Sequence, residues 1–172
     1  MNPEPGIIIV TGSNGRIGDA VMRRFAGRFD DVIGFDRKAP DPPPPQCVYV
    51  PVEITSDDSV RDGLRTVREH HGTHVASVIH LAAYYDFFGK PSRKYDEITV
   101  QGTRRLLRSL QKLDFHVAQF VSSGTMLVHR PGAPRESLPE HSPLEPPGPS
   151  PEPNVPTQHT PRTAANDTPH AP

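Results

Sequence analysis

Three glycines set the first chemical reading of this chain. Residues 11–18 run Thr11-Gly12-Ser13-Asn14-Gly15-Arg16-Ile17-Gly18, directly after the apolar run Gly6-Ile7-Ile8-Ile9-Val10. A short, continuous, β-branched run predicts a strand buried on both faces. The spacing behind it predicts a tight turn leading into a helix. Gly12 lets the chain turn sharply, Gly15 removes a side chain where backbone approaches phosphates, and Gly18 lets the helix pack closely on the sheet. Free amides at a helix N-terminus suit an anion. A pyrophosphate, and so a dinucleotide, is the ligand this arrangement fits, with Asn14, Arg16 and Ile17 in the same turn counted among its contacts.

Asp36 is a second, independent pointer. It ends the apolar run Val32-Ile33-Gly34-Phe35, about 20 residues on, where a carboxylate can accept both adenosine ribose hydroxyls. That favours NAD. Arg37 and Lys38 follow at once and could meet a 2′-phosphate, which keeps NADP open. The bland alternative for Asp36 is an ordinary loop carboxylate.

The elements that must position these residues follow from periodicity. Ile7–Val10 is the first strand. A helix from about Arg16 to Arg28 carries Ile17, Val21 and Phe25 as one apolar stripe. Val32–Phe35 is the second strand and Val48–Val50 the third, joined by the loop Pro40–Pro45, which can enter neither sheet nor helix interior. Ser56 caps a helix whose first turn holds Asp57 and Asp58 and whose buried face is Val60, Leu64 and Val67. Val75–Ala83 is the fourth strand. A long helix, Ser92–Leu113, turns Tyr95, Ile98, Leu106, Leu110 and Leu113 inward. Ala118–Ser123 is the fifth strand. Strands alternating with amphipathic helices imply an α/β, Rossmann-like parallel sheet of order 3-2-1-4-5 with helices on both faces.

Composition bounds the rest. The chain has 172 residues, enough for one domain, and a net charge of −1, which gives no general attraction to nucleic acid or an anionic membrane. The single Cys47 fits a reducing compartment. No signal peptide or membrane-length apolar run is visible, so a cytoplasmic location is expected. Of 22 prolines, thirteen lie between Pro131 and Pro172. That stretch has too few large apolar groups to offset the entropy of ordering, so residues 1–130 are expected to form the NAD(P)-binding domain and 131–172 a disordered proline-rich tail. Pro143–Pro146 and Pro146–Pro149 match a minimal PxxP docking spacing, which so many prolines make nearly inevitable.

The glycine spacing, Gly-x-x-Gly-x-x-Gly behind Thr11, resembles the extended branch of the short-chain dehydrogenase/reductase superfamily, the NAD-dependent epimerases and dehydratases. Further segments carry the resemblance in order. His80-Leu81-Ala82-Ala83 resembles the segment that lies along the cofactor. Glu53-Ile54 falls where the family has an Asp-hydrophobic pair beside the adenine. Thr99-Val100-Gln101-Gly102-Thr103 is similar to Asn-Val-x-Gly-Thr on the long helix. Val121-Ser122-Ser123-Gly124-Thr125 resembles the strand end bearing the catalytic Ser or Thr. The resemblance covers about residues 6–145. It implies cofactor contacts from Glu53, Ile54, Leu81, Ala82, Ala83 and Thr99, and a substrate-oxygen donor at Ser123 or Thr125; the bland reading of Ser123 is a strand-end hydroxyl. It also implies a homodimer, and redox-assisted epimerisation, dehydration or reduction of a sugar-nucleotide or related small-molecule carbonyl substrate in complete relatives.

The departures are equally specific. Glu53 replaces Asp, and Thr99 replaces Asn. The family's Tyr-x-x-x-Lys acid/base pair follows the fifth strand, whereas the last Tyr here is Tyr95 and the last Lys is Lys112. Ser137–Pro146 still resembles the loop before the missing helix. The expectation is a truncated or frame-shifted product with negligible turnover. The competing reading is a non-catalytic dinucleotide-sensing or scaffold module whose tail docks a partner.

Other residues receive plainer readings. His70, His71 and His74 end a helix and lack partners for a tetrahedral metal set. His80 is read as a strand residue near the cofactor. Arg104, Arg105 and Arg108 are the solvated face of a helix. Tyr84, Tyr85, Phe87 and Phe88 either line a substrate pocket or pack under their loop.

Overall fold

The computed structural model describes residues 4–86 and 92–124. The proline-rich stretch 131–172, Phe87, Phe88 and Thr125 lie outside them. The strands are β1 (Glu4–Thr11), β2 (Phe29–Asp36), β3 (Val48–Pro51), β4 (His74–His80), β5 (His116–Val117) and β6 (Phe120–Ser122). The helices are α1 (Arg16–Phe25), α2 (Asp57–His71) and α3 (Gln101–Lys112), the last preceded by a π-helical segment Tyr95–Val100. All pairings are parallel, in the expected order β3-β2-β1-β4-β5, with β6 also paired to β4.

Alternation in β1 explains the layers. Ile7 and Ile9 join the larger core with Val60, Leu64, Val67, Leu106 and Leu110 of α2 and α3. Ile8 and Val10 face the other way, onto Met22 of α1. Both faces of the central strand are thus covered, which is why it reads as unbroken apolar sequence. Arg105 of α3 pairs with Asp57 at the start of α2, Nε to Oδ1 at 3.1 Å. Arg68 of α2 donates to the Leu113 carbonyl at the end of α3.

Several boundaries differ from the periodicity. Ile17 is 66 % exposed, so the apolar stripe of α1 is not Ile17–Val21–Phe25. The buried positions are Gly18 and Met22, with Val21 and Phe25 beside them. Ile17 lies in the first turn, where the helix has only just left the glycine loop. α1 also ends at Phe25 rather than Arg28, because Gly27 takes a left-handed φ of +69°. β4 stops at His80, not Ala83: the Leu81 and Ala82 amides turn to the Thr11 hydroxyl.

The long helix begins as a π-turn that brings the adjacent Thr99 and Val100 both inward. Such widened turns recur at functional sites. The expected fifth strand is two short ones. Hydrogen bonding to β4 continues between them, from Ala118 N to Val75 O and from Val78 N to Gln119 O, both at 2.9 Å, but the ladder loses regularity there. No helix of the described residues is long and apolar enough to cross a membrane.

Ser56 caps α2 as expected, its Oγ accepting from the Ser59 amide at 3.2 Å. Ser56→Ala is expected to cost about 1 kcal/mol. The checking measurement is a urea midpoint shift at unchanged m-value.

Candidate functional site

The turn after β1 is built by backbone bonds. Gly12 donates to the Phe35 carbonyl of β2 at 2.9 Å, and Gly15 donates back to the Gly12 carbonyl at 3.0 Å. Gly12 has φ +68°, the left-handed region, and a Cβ there would lie 2.9 Å from the Ala82 nitrogen. Both conformation and space require glycine. At Gly18 a Cβ would overlap the Gly12 carbonyl oxygen and come within 2.7 Å of the Ser13 Cα. Gly18 therefore packs α1 against the turn itself rather than against the sheet. A Cβ on Gly15 would meet just the Gly12 oxygen, at 3.2 Å. Gly15 is the N-cap and offers no side-chain bond, so the first amides of α1 are left for another acceptor.

A cleft of about 560 Å³ opens beside this turn, at the C-terminal edge of the sheet. Its floor is Thr11, Gly12, Gly15, Phe35, Asp36 and Arg37. One wall is Val52, Glu53, Ile54 and Thr55. The other is Leu81, Ala82, Ala83 and Tyr84, with Lys94, Glu97 and Ile98 above it. Of the expected contacts, the cleft gathers Gly12, Gly15, Asp36, Arg37, Glu53, Ile54, Leu81, Ala82 and Ala83. Asn14, Arg16 and Ile17 lie exposed on the turn beside it, while Gly18 and Thr99 are buried behind it.

Asp36 is held from two sides. Its Oδ2 accepts from the Asn14 amide at 3.0 Å and its Oδ1 from the Arg37 amide at 2.8 Å. Bonds to an ionised acceptor are among the stronger ones, and here they fix the orientation of the carboxylate. Glu53 is partly engaged: one oxygen accepts from both the amide and the hydroxyl of Thr55. Thr99 contributes by holding the wall, its side-chain Oγ1 accepting from the Tyr84 amide at 3.1 Å.

Behind the cleft, His80 is wholly buried. Its Nδ1 lies 2.7 Å from Thr11 Oγ1 and its Nε2 lies 2.9 Å from Thr103 Oγ1. Burial pushes its pKa down to about 4. Tyr49 is half-buried on the α1 side, and burial first of all pushes its hydroxyl up to about 12.

The remaining candidates fall elsewhere. Ser123 follows β6, exposed, with its amide bonded to the His80 carbonyl at 3.3 Å; it does not line the cleft. Tyr84 does line it, whereas Tyr85 is 77 % exposed. His71 pairs with Asp31, Nδ1 to Oδ2 at 2.7 Å, and His74 stacks near His116. A second cavity, about 820 Å³, lies at the opposite end of the sheet and holds none of the motif residues.

Lys94 and Glu97 escaped the sequence reading. They stand with Ile98 at i, i+3 and i+4, one helical face. That spacing was visible, but two charged residues on a helix read as solvated surface.

The buried neutral His80 gives stability a defined pH dependence. An unfolded histidine takes a proton near pH 6.5, while the folded one does so near 4. Between these values the unfolded state binds more protons, so stability is full above about 6.5 and falls as pH drops toward 4. The loss approaches roughly 3 kcal/mol. Denaturant midpoints across pH 4–7 should show this slope, and His80→Gln should flatten it.

A model of the NAD dependent epimerase/dehydratase family matches residues 8–150. No curated protein matches the sequence. Among solved structures, the fold is similar to an NAD-complexed mutant of uronate dehydrogenase from Agrobacterium tumefaciens, with a TM-score of 0.74 at 16 % identity, covering 96 % of this chain and 58 % of that one. It is also similar to a UDP-Glc/GlcNAc 4-epimerase from Campylobacter jejuni, with a TM-score of 0.74 at 19 % identity over 95 % and 50 %. A dTDP-glucose 4,6-dehydratase from Bacillus anthracis in complex with NAD gives 0.68 at 21 % over 95 % and 51 %. The chain spans about half the length of these structures. With the family match covering most of the sequence and the sheet, glycine turn and Asp36 in place, the chain belongs to the NAD-dependent epimerase/dehydratase family.

Proposed function

We propose that this chain is the dinucleotide-binding part of a family enzyme and binds NAD in the cleft between Asp36 and the 81–84 segment. The observation that carries the reading is the doubly held Asp36 carboxylate beside an uncapped helix start, both opening into one cleft. The amides of the turn through Gly15 and Arg16 would face the pyrophosphate. Asp36, with one direction on each oxygen still free, would accept the ribose hydroxyls. Ile54, Ala82 and Ile98 offer apolar faces to the adenine. Glu53 keeps one oxygen for the adenine amino group. The residues present fit the cofactor.

When bound, NAD supplies reversible oxidation of a substrate alcohol carbon, the chemistry that makes epimerisation, dehydration or reduction accessible. The substrate class proposed is a sugar nucleotide or related carbonyl compound, following the family. Ser123, at the sheet's C-terminal edge, would donate to the substrate oxygen. The domain is proposed to span residues 1–130, and Thr125 is the second candidate donor. No Tyr or Lys follows Lys112. Without that acid/base pair the proton step loses about 10²–10⁴-fold, so the 172-residue chain is expected to bind without appreciable turnover. Robust conversion of a nucleotide sugar by the purified chain would overturn this.

Cofactor choice follows from Asp36. A fixed carboxylate repels a 2′-phosphate, so NAD should bind more tightly than NADP despite the nearby Arg37. Asp36→Ala should weaken NAD by roughly 10- to 100-fold, about the value of one bond to a charged acceptor, and narrow its advantage over NADP. Calorimetric titration of both variants with both dinucleotides checks this.

A further inference from the structure

The wall formed by residues 81–84 lies past the end of β4 at His80. One backbone bond still reaches it, from the Leu81 amide to the Thr11 carbonyl at 3.1 Å, and side chains supply the rest. Thr11 Oγ1 accepts from the Leu81 and Ala82 amides, and Thr99 Oγ1 accepts from the Tyr84 amide. His80 stands between these anchors, bonded to Thr11 on β1 and Thr103 on α3. Thr103 Oγ1 in turn donates to the Thr99 carbonyl at 2.6 Å.

Counting donors fixes every direction. A carbonyl can only accept, so the Thr103 proton points at Thr99 and the Thr103 oxygen must accept from His80 Nε2–H. Burial keeps the ring neutral, so its Nδ1 is bare and accepts from the Thr11 hydroxyl, whose oxygen takes the Ala82 amide and shares the Leu81 amide with the Thr11 carbonyl. The count gives one species, a neutral imidazole with its proton on Nε2. We propose that His80 in this tautomer is the positioning residue of the dinucleotide cleft: it sets the distance between the 81–84 wall and the glycine turn by linking β1 to α3. This deepens the NAD assignment and rests on it. The contact leaves no slack, because Gly12 approaches Leu81 and Ala82 so closely that a Cβ would stand 2.9 Å from the Ala82 nitrogen. A wall that moves therefore moves against the turn.

The test uses the full chain with labelled histidine. Nitrogen-detected NMR is expected to show His80 with a bare Nδ1 and a protonated Nε2 at neutral pH. Thr103→Val conserves shape and removes the acceptor; Thr103→Ser restores it. In Thr103→Val, amide exchange at Leu81 and Ala82 should quicken about tenfold and the NAD Kd should rise about tenfold, the value of one bond. Thr103→Ser should stay within about twofold of the wild type in both. A merely structural role would lower the melting temperature of Thr103→Val yet leave both readouts at wild-type values, and that result overturns the proposal. So does an Nδ1–H tautomer in the wild type, which decides the matter even if Thr103→Val does not fold. If the wild type fails to bind NAD, the cofactor reading falls alone; the tautomer and exchange results still decide whether His80 holds the wall.

Discussion

The end of β1 and the end of β4 come so close that only backbone fits between them. Gly12 leaves β1 against Leu81 and Ala82; the Thr11 hydroxyl takes the Ala82 amide and shares the Leu81 amide with its own carbonyl. The rest of the site is arranged around this contact. β1 must be central, so it needs apolar side chains on both faces and helices to cover them. The turn must be glycine because the neighbouring segment occupies the space a side chain would take. The fourth strand stops where a hydroxyl begins to share, and then take over, its amides. The cleft is what remains open once these constraints are met.

Much of this was legible in residue types. Continuous β-branched runs gave the parallel order, because a strand covered on both faces carries no polar alternation. Glycines at 12, 15 and 18 placed the turn, and Asp36 fell on the edge of the same cleft. What escaped was long-range. Ile17 sits at helical spacing from Val21, yet faces solvent because a helix's first turn does not yet lie over the sheet. Thr11 and His80 are 69 residues apart, and nothing local announces that one hydroxyl will serve an imidazole and two amides. Gly18 packs on the turn rather than on the sheet for the same reason: close packing is legible as a need, but its partner is a matter of tertiary geometry.

The two faces of the sheet divide the labour. The α2–α3 side carries the larger core and the ion pair and carbonyl bond that join those helices. The α1 side is smaller and more polar. Among the described residues, Ser13 Oγ, Asp19 Oδ1 and Tyr49 OH are buried there without a hydrogen-bond partner. A core on one side can thus anchor the sheet while the glycine turn and the helix start on the other keep a shape set by function.

A buried imidazole is an expensive way to join a strand to a helix. An apolar side chain of similar volume would avoid the desolvation of two ring nitrogens. It could not satisfy two hydroxyls at a fixed separation, however: Thr11, which takes the Leu81 and Ala82 amides, and Thr103, which holds the carbonyl of Thr99, whose own hydroxyl takes the Tyr84 amide. Removing the ring would orphan a donor and an acceptor together, the arrangement in which a lost hydrogen bond costs most. Every donor and acceptor named around His80 has a partner. Such completeness gives direction as well as stability, because a fully satisfied network has one low-energy geometry. A cleft wall four residues long thus has three of its amides bonded by hydroxyls behind it, while its outer face stays open to a ligand.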